Sequence, residues 1–143
     1  MSTSEARGIV RRFFDEAWNQ KKVVELDEYI SANNIHRGLS ANGPYGPNYV
    51  RQVMQNWHTA FPDFQYHIEA MIAEDDLVAV RTTFSGTHSG PFTFESQNLS
   101  PTGKSLRVAE MFFFRIADGK VVESWATWDR LSVLVQLEAA PAE

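Results

Sequence analysis

Residues 105–129 carry the longest regular alternation in the chain: two apolar-rich runs separated by Asp118-Gly119. An Asp-Gly pair between such runs predicts a hairpin, because a type I′ turn requires positive φ at both central residues. Successive side chains of a strand point to opposite faces. Leu106, Val108, Glu110, Phe112 and Phe114 therefore share one face, and Arg107, Ala109, Met111, Phe113 and Arg115 share the other. The two arginines turn the second set outward. Glu110 is thus an acid on an apolar inner wall, the pattern expected of a ligand cavity.

Upstream the period is helical. Ile9, Val10, Phe13, Phe14, Ala17 and Trp18 recur opposite Arg11, Arg12, Asp15 and Glu16, predicting a helix over 5–19 with Ser2 and Glu5 as a capping box. A second short helix is predicted over 23–30. The Asn-, Gly- and Pro-rich stretch 31–47 reads as a loop with a short strand at 35–37. Gly46-Pro47 opens a third helix, whose buried stripe is Val50, Val53, Met54, Trp57 and Phe61 and which ends at Phe61-Pro62-Asp63. The chain then turns to strands. Phe64, Tyr66, Ile68, Ala70 and Ile72 alternate with Gln65, His67, Glu69 and Met71, and a turn at Glu74-Asp75-Asp76 leads to a strand over 77–85. Residues 86–104 form a long connection, of the kind that is often functional. A terminal helix is predicted over 131–137 and a disordered tail over 138–143. Helices followed by an antiparallel sheet make an α+β architecture. The expected form is one domain over 1–143, a cone-shaped barrel of curved antiparallel sheet wrapped around the N-terminal helices, with an internal cavity.

Composition narrows the partners. The 143 residues suffice for a sizeable core, and the net charge of −5 argues against nucleic acid or an anionic membrane surface. There is no cysteine, so disulfides and thiolate metal sites are excluded. The N-terminal residues lack an apolar run of signal-peptide length and no run approaches a transmembrane span, which makes a cytoplasmic location the expectation. Aromatic residues reach 13%, with ten Phe and four Trp, a surplus assigned to cavity lining or interface. The outward Met111, Phe113 and Trp125 are too apolar for a solvated face and predict a subunit interface in a homodimer or homotetramer.

Glu110 is the leading candidate for proton transfer, since burial raises a carboxyl toward the working pH. His36 is a candidate for donating to a substrate carbonyl or shuttling a proton, against a role capping loop backbone. His88 sits at a strand end near the expected cavity mouth, or is held there by its turn. Arg81 either lines the cavity and polarises an oxyanion or is solvated. Asp129 reads as a helix N-cap. His58 and His67 read as surface residues. No close histidine pairing is present, so no metal site is expected. Trp57, Phe84, Phe92, Phe112, Phe114 and Trp128 are candidate walls for a hydrophobic polycyclic small molecule, with packed core as the alternative.

Six segments carry a family resemblance: VRRFFDEAWNQ (10–20), FPDF (61–64), VAVRTTFSGTHSGPF (78–92), PTGK (101–104), FRIADGKVVESW (114–125) and the ending WDRLSVLVQL. In these the chain resembles the SnoaL-like polyketide cyclases of the nuclear-transport-factor-2-like superfamily. The resemblance implies ring closure of an aromatic polyketide by intramolecular aldol condensation, without metal or cofactor. It also implies an acid/base carboxylate on the last long strand. Aligned through RIADGK, that position falls at Ala126, which cannot transfer a proton. The family's supporting Gln and His fall at Glu110 and Phe112, and its Asn falls at His36. Three readings follow. One is a tailoring enzyme of anthracycline-type antibiotic biosynthesis in which Glu110 or His36 replaces the missing acid. Another is a polyketide hydroxylation component working with a partner reductase. The third is a non-catalytic binding cone.

Overall fold

Helix α1 (Thr3–Arg12) begins where Ser2 accepts the Glu5 backbone N–H at 3.1 Å and donates its hydroxyl to the Glu5 carboxylate at 3.3 Å. The computed structural model describes residues 2–38 and 42–139. Part of the expected loop (39–41) and of the expected disordered tail (140–143) lies outside the described residues.

The predicted helix over 5–19 is two helices in one. After α1 the backbone widens into a π-helix, Phe13–Asn19, closed by Gln20 N–H donating to the Asp15 carbonyl. At 3.6 residues per turn, Phe13 and Trp18 would sit about 140° apart. An i→i+5 ladder brings them nearer one face, and both reach the cavity. Aromatic packing holds the wider turn: Phe14 meets Tyr66, Phe112 and Phe114 edge-on at 4.9, 5.2 and 5.9 Å. Each such pair contributes about 0.5–1.5 kcal/mol beyond area burial.

The next segment corrects the expectation. Residues Val23–Glu28 form a 3-10 turn, with β-branched residues that fit an α-helix poorly and only Leu26 buried. Strand β1 (Ile30–Arg37) then runs much longer than the predicted 35–37. Its Asn-rich sequence has low strand propensity; pairing with a strand distant in sequence overrides it. Strand β2 (Asn42–Pro44) pairs antiparallel to β1. Helix α2 (Pro47–Ala60) starts at Gly46 with Pro47 in its first turn, as read from sequence.

Strands β3 (Gln65–Glu74), β4 (Leu77–Thr87), β7 (Ser105–Ala117) and β8 (Lys120–Trp128) complete a six-stranded sheet in the order β2-β1-β8-β7-β4-β3. Neighbours are antiparallel except β1 and β8, which run parallel. The sheet curves around the helical segment without closing into a barrel, and its edges are β2 and β3. The β7–β8 turn has φ of 51° at Asp118 and 75° at Gly119, as a type I′ turn requires. Within the expected long loop, β5 (Phe92–Phe94) and β6 (Gln97–Leu99) form a separate hairpin with positive φ at Glu95 and Ser96. Asp129 caps helix α3 (Arg130–Gln136), accepting the Ser132 N–H at 3.0 Å.

Two bulges set which side chains face inward. On β3 the register shifts between Ile68 and Ala70, so Met71 and Ala73 face inward and Ala70 and Ile72 outward, reversing the alternation read from sequence. On β8 the shift lies opposite Arg115/Ile116, and Val121, Ser124 and Ala126 are all buried.

Beyond β4 the chain crosses the end of α2, where Ser89 and Gly90 both donate to the Ala60 carbonyl. A Cβ at Gly90 would lie 2.0 Å from the Thr59 carbonyl oxygen. Gly90→Ala is therefore expected to destabilise the protein by about 2 kcal/mol or more, read as a lower urea midpoint, because backbone rather than a mobile side chain must yield.

Candidate functional site

The concave face encloses a cavity of about 360 Å³, inside the range of small-molecule sites. Phe112 and Phe114 stack on one wall at 5.4 Å and 13°. Trp57 stands between Phe84 and Trp128, edge-on to both at 5.4 and 5.9 Å. These five predicted wall residues line the cavity; Phe92 does not. It is 1% exposed and packs against Phe61, Trp57 and Phe94 at 5.2, 4.8 and 5.2 Å, as core behind the wall.

Glu110 lies on the inner face of β7, opposite Thr82 on β4, whose hydroxyl donates to the Glu110 backbone carbonyl at 2.9 Å. Its carboxyl lines the cavity and accepts the Tyr66 hydroxyl at 2.6 Å. Burial pushes Glu110 up to about 8, and the Tyr66 bond works against that shift. Burial and the adjacent Glu110 raise Tyr66 well above the usual phenol range. Tyr66 is itself clamped: Asn19, at the end of the π-helix, donates to its carbonyl at 2.9 Å and accepts its N–H at 2.8 Å. Helix and sheet thus jointly aim one phenol at one acid.

His36 faces the same cavity from β1. The parallel pairing sets it beside Ser124 of β8, with Nδ1 2.9 Å from the Ser124 hydroxyl. Burial lowers its pKa, which keeps the ring neutral at neutral pH. Two residues earlier, Asn34 donates its amide to the Tyr45 carbonyl, while its buried Oδ1 has no partner among the described residues. Ala126 lines the cavity opposite Phe112, between the two polar groups.

The remaining candidates lie elsewhere. Arg81 is exposed on the outer face, because Val78, Val80, Thr82 and Phe84 take the inward positions of β4. His88 is fully buried but outside the cavity. Its backbone and ring fasten residues 102–104, its Nδ1 accepts the Thr102 N–H, and its ring tilts against Phe61 at 5.3 Å. His58 is not a surface residue: half-buried, it bonds through Nε2 to the Trp18 carbonyl at 2.8 Å, tying α2 to the π-helix. His67 is exposed. Sequence reasoning missed Tyr66, Ser124, Asn34 and the Arg130–Glu95 pair that also lines the cavity. Tyr66 alone had a signal, its alternation with Phe64 and Ile68. Among the described residues no three His, Asp or Glu side chains cluster as metal ligands, and no helix is long and apolar enough to cross a membrane.

Glu110 also couples folding to pH. The folded chain holds this proton up to about 8, against 4.5 for an ordinary glutamate. The unfolded chain releases it first, so this contribution to stability is complete below about pH 4.5 and is lost as pH rises toward 8. Relative to wild type, Glu110→Gln is expected to gain about 5 kcal/mol between the two ends of this window, measured by urea unfolding.

Comparison with known proteins agrees with this architecture. The model of the SnoaL-like polyketide cyclase family matches residues 8–137. AclR of Streptomyces galilaeus, a proposed hydroxylase, is 28% identical over 98% of this chain and all of its own, with a TM-score of 0.82. IdmH of Streptomyces antibioticus, a proposed polyketide cyclase, is 25% identical over 94% of this chain and 99% of its own, with a TM-score of 0.77. TsrD of Streptomyces laurentii shares the fold at 22% identity and a TM-score of 0.82, covering 98% and 99% of the two chains. No curated protein matches the chain. With its helix-filled concave sheet and a match spanning nearly its whole length, the chain belongs to the SnoaL-like polyketide cyclase family.

Proposed function

We infer that the protein is a tailoring enzyme of aromatic polyketide biosynthesis, of the anthracycline type, in which Glu110 performs the acid/base chemistry. The observation that carries this reading is the buried Tyr66–Glu110 hydrogen bond at 2.6 Å inside an aromatic-walled cavity. A base is most effective when its pKa lies near the working pH, and burial holds Glu110 at about 8. As carboxylate, Glu110 removes a proton from carbon α to a substrate carbonyl. The resulting enolate carbon attacks a second carbonyl carbon of the same molecule, forming the ring bond. Glu110 then returns its proton to the new alkoxide. Mass is unchanged, and Tyr66 stabilises the carboxylate through its O–H.

A second reading is favoured by the 28% identity to AclR and by Ala126 at the family's acid position. It is hydroxylation of the aromatic skeleton, with dioxygen as oxidant and a partner reductase supplying two electrons. One oxygen atom enters the substrate and the other leaves as water.

Incubating the protein with an anthraquinone-type polyketide ester, with and without a reductase, separates the two by mass spectrometry: unchanged mass with altered retention against one added oxygen. For the first reading, Glu110→Gln is expected to lose at least about 100-fold in kcat. The kcat/KM of wild type should rise with pH and level off above about 8. Tyr66→Phe removes a bond to the ionised acid, so its rising limb should move to higher pH. Full activity in Glu110→Gln would rule out Glu110 as the base.

We also propose that the outer face of the sheet is a contact between copies of this chain. Ile72, Ala79, Phe113 and Trp125 form one cross-strand row, and Ile72, Phe113 and the adjacent Met111 are 70%, 51% and 58% exposed. Sedimentation at micromolar concentration should give a dimer or tetramer for wild type and a smaller species for Phe113→Asp.

A further inference from the structure

The geometry points to a second, anchoring subsite at the opposite end of the cavity: His36, Ser124 and Asn34 bind an oxygen substituent on the far ring of a ligand whose reacting end lies at Glu110. The inference rests on the fused-ring, acid/base reading above and adds which residues orient the molecule.

The sheet register sets the spacing. Glu110 pairs with Trp128 and His36 pairs with Ser124. The two polar stations are therefore four residues apart along β8, about 13 Å at the rise of a strand. Between them the wall is apolar, with Ala126 opposite Phe112. That backbone spacing matches the length of a rigid anthraquinone-sized molecule lying along the strand, with one polar group toward each end. The small Ala126 leaves room for it, where a larger residue would narrow the cavity.

The chemistry of the far station suits a phenol hydroxyl. The Ser124 hydroxyl both donates and accepts, so it satisfies Nδ1 of His36 in either tautomer. His36 Nε2 has no partner among the described residues, and it can present a donor to a carbonyl or an acceptor to a hydroxyl. Asn34 adds a second acceptor. Its amide is fixed by the Tyr45 carbonyl at 3.1 Å, which sets the orientation of Oδ1, and that oxygen is buried and unpartnered. A buried acceptor left without a donor carries a desolvation penalty that a ligand hydroxyl would relieve. Tyr45 tilts against the His36 ring at 6.0 Å and closes this end.

Trp18, Trp57 and Trp128 line the cavity, so their fluorescence reports occupancy. The probes are 2-hydroxyanthraquinone and unsubstituted anthraquinone, titrated by quenching. Wild type is expected to bind the hydroxylated probe about tenfold more tightly, the worth of one well-made buried hydrogen bond. His36→Leu should bring that ratio to about one, and Ser124→Ala, which removes a single oxygen, should lower it in the same direction. Glu110→Gln should leave the ratio as in wild type. A ratio unchanged in both the His36 and Ser124 variants overturns the anchor and leaves the acid/base reading standing. A ratio that collapses in Glu110→Gln instead places the hydroxyl at the other end and also overturns it. Absence of quenching by either probe overturns the ligand class on which both inferences rest.

Discussion

A bond of 2.6 Å between a phenol on β3 and a carboxyl on β7, each buried, spans the sheet across β4, and the Asn19 clamp on Tyr66 links it to the helical layer. Glu110 can be inside only because β7 alternates without interruption along its whole pairing with β4. Tyr66 can meet it only because Asn19 clamps the Tyr66 backbone from the end of the π-helix. Leaving such an acid unpartnered would add to a desolvation cost that is already large. The helical layer and the sheet are therefore held in one relative position by polar geometry as well as by aromatic packing.

The inner face of β7 could be read from sequence because local rules suffice there. Asp118-Gly119 fixes a hairpin, arginines mark the outside, and Glu110 falls inward by counting. Helix α2 and the Asp129 cap were legible for the same reason. What escaped depends on partners distant along the chain. Residues 30–34 are Asn-rich and become a strand because β8 offers a parallel edge, and only that pairing puts His36 beside Ser124. Arg81 and His88 failed as cavity residues for different reasons. One lost to the parity of its own strand, the other to a core that closes around it. The Glu95-Ser96 turn carries no glycine to announce the β5–β6 hairpin.

Function is legible in a more limited way. The family sets the fold, while the strand position at which the sequence resemblance implies an acid holds Ala126. Glu110 lies on the neighbouring strand, diagonally across from it, since Ala126 pairs with Phe112 two residues along β7. A carboxyl moved from one strand to the next would approach a bound ring from a different edge. One cone can thus present its acid to different atoms of a ligand, which fits a fold shared with both a proposed hydroxylase and a proposed cyclase.

The π-helix has a further consequence. Its extra residue per turn lies on the helical side of the cavity, ahead of the Asn19 clamp. Gaining or losing one residue there rotates Phe13 against Trp18 while every strand register stays as it is. A lineage could therefore reshape the pocket by single-residue insertions and deletions that leave the strand lining as it is, whereas an extra residue in a strand turns the side chains beyond it to the other face, as the β3 bulge does.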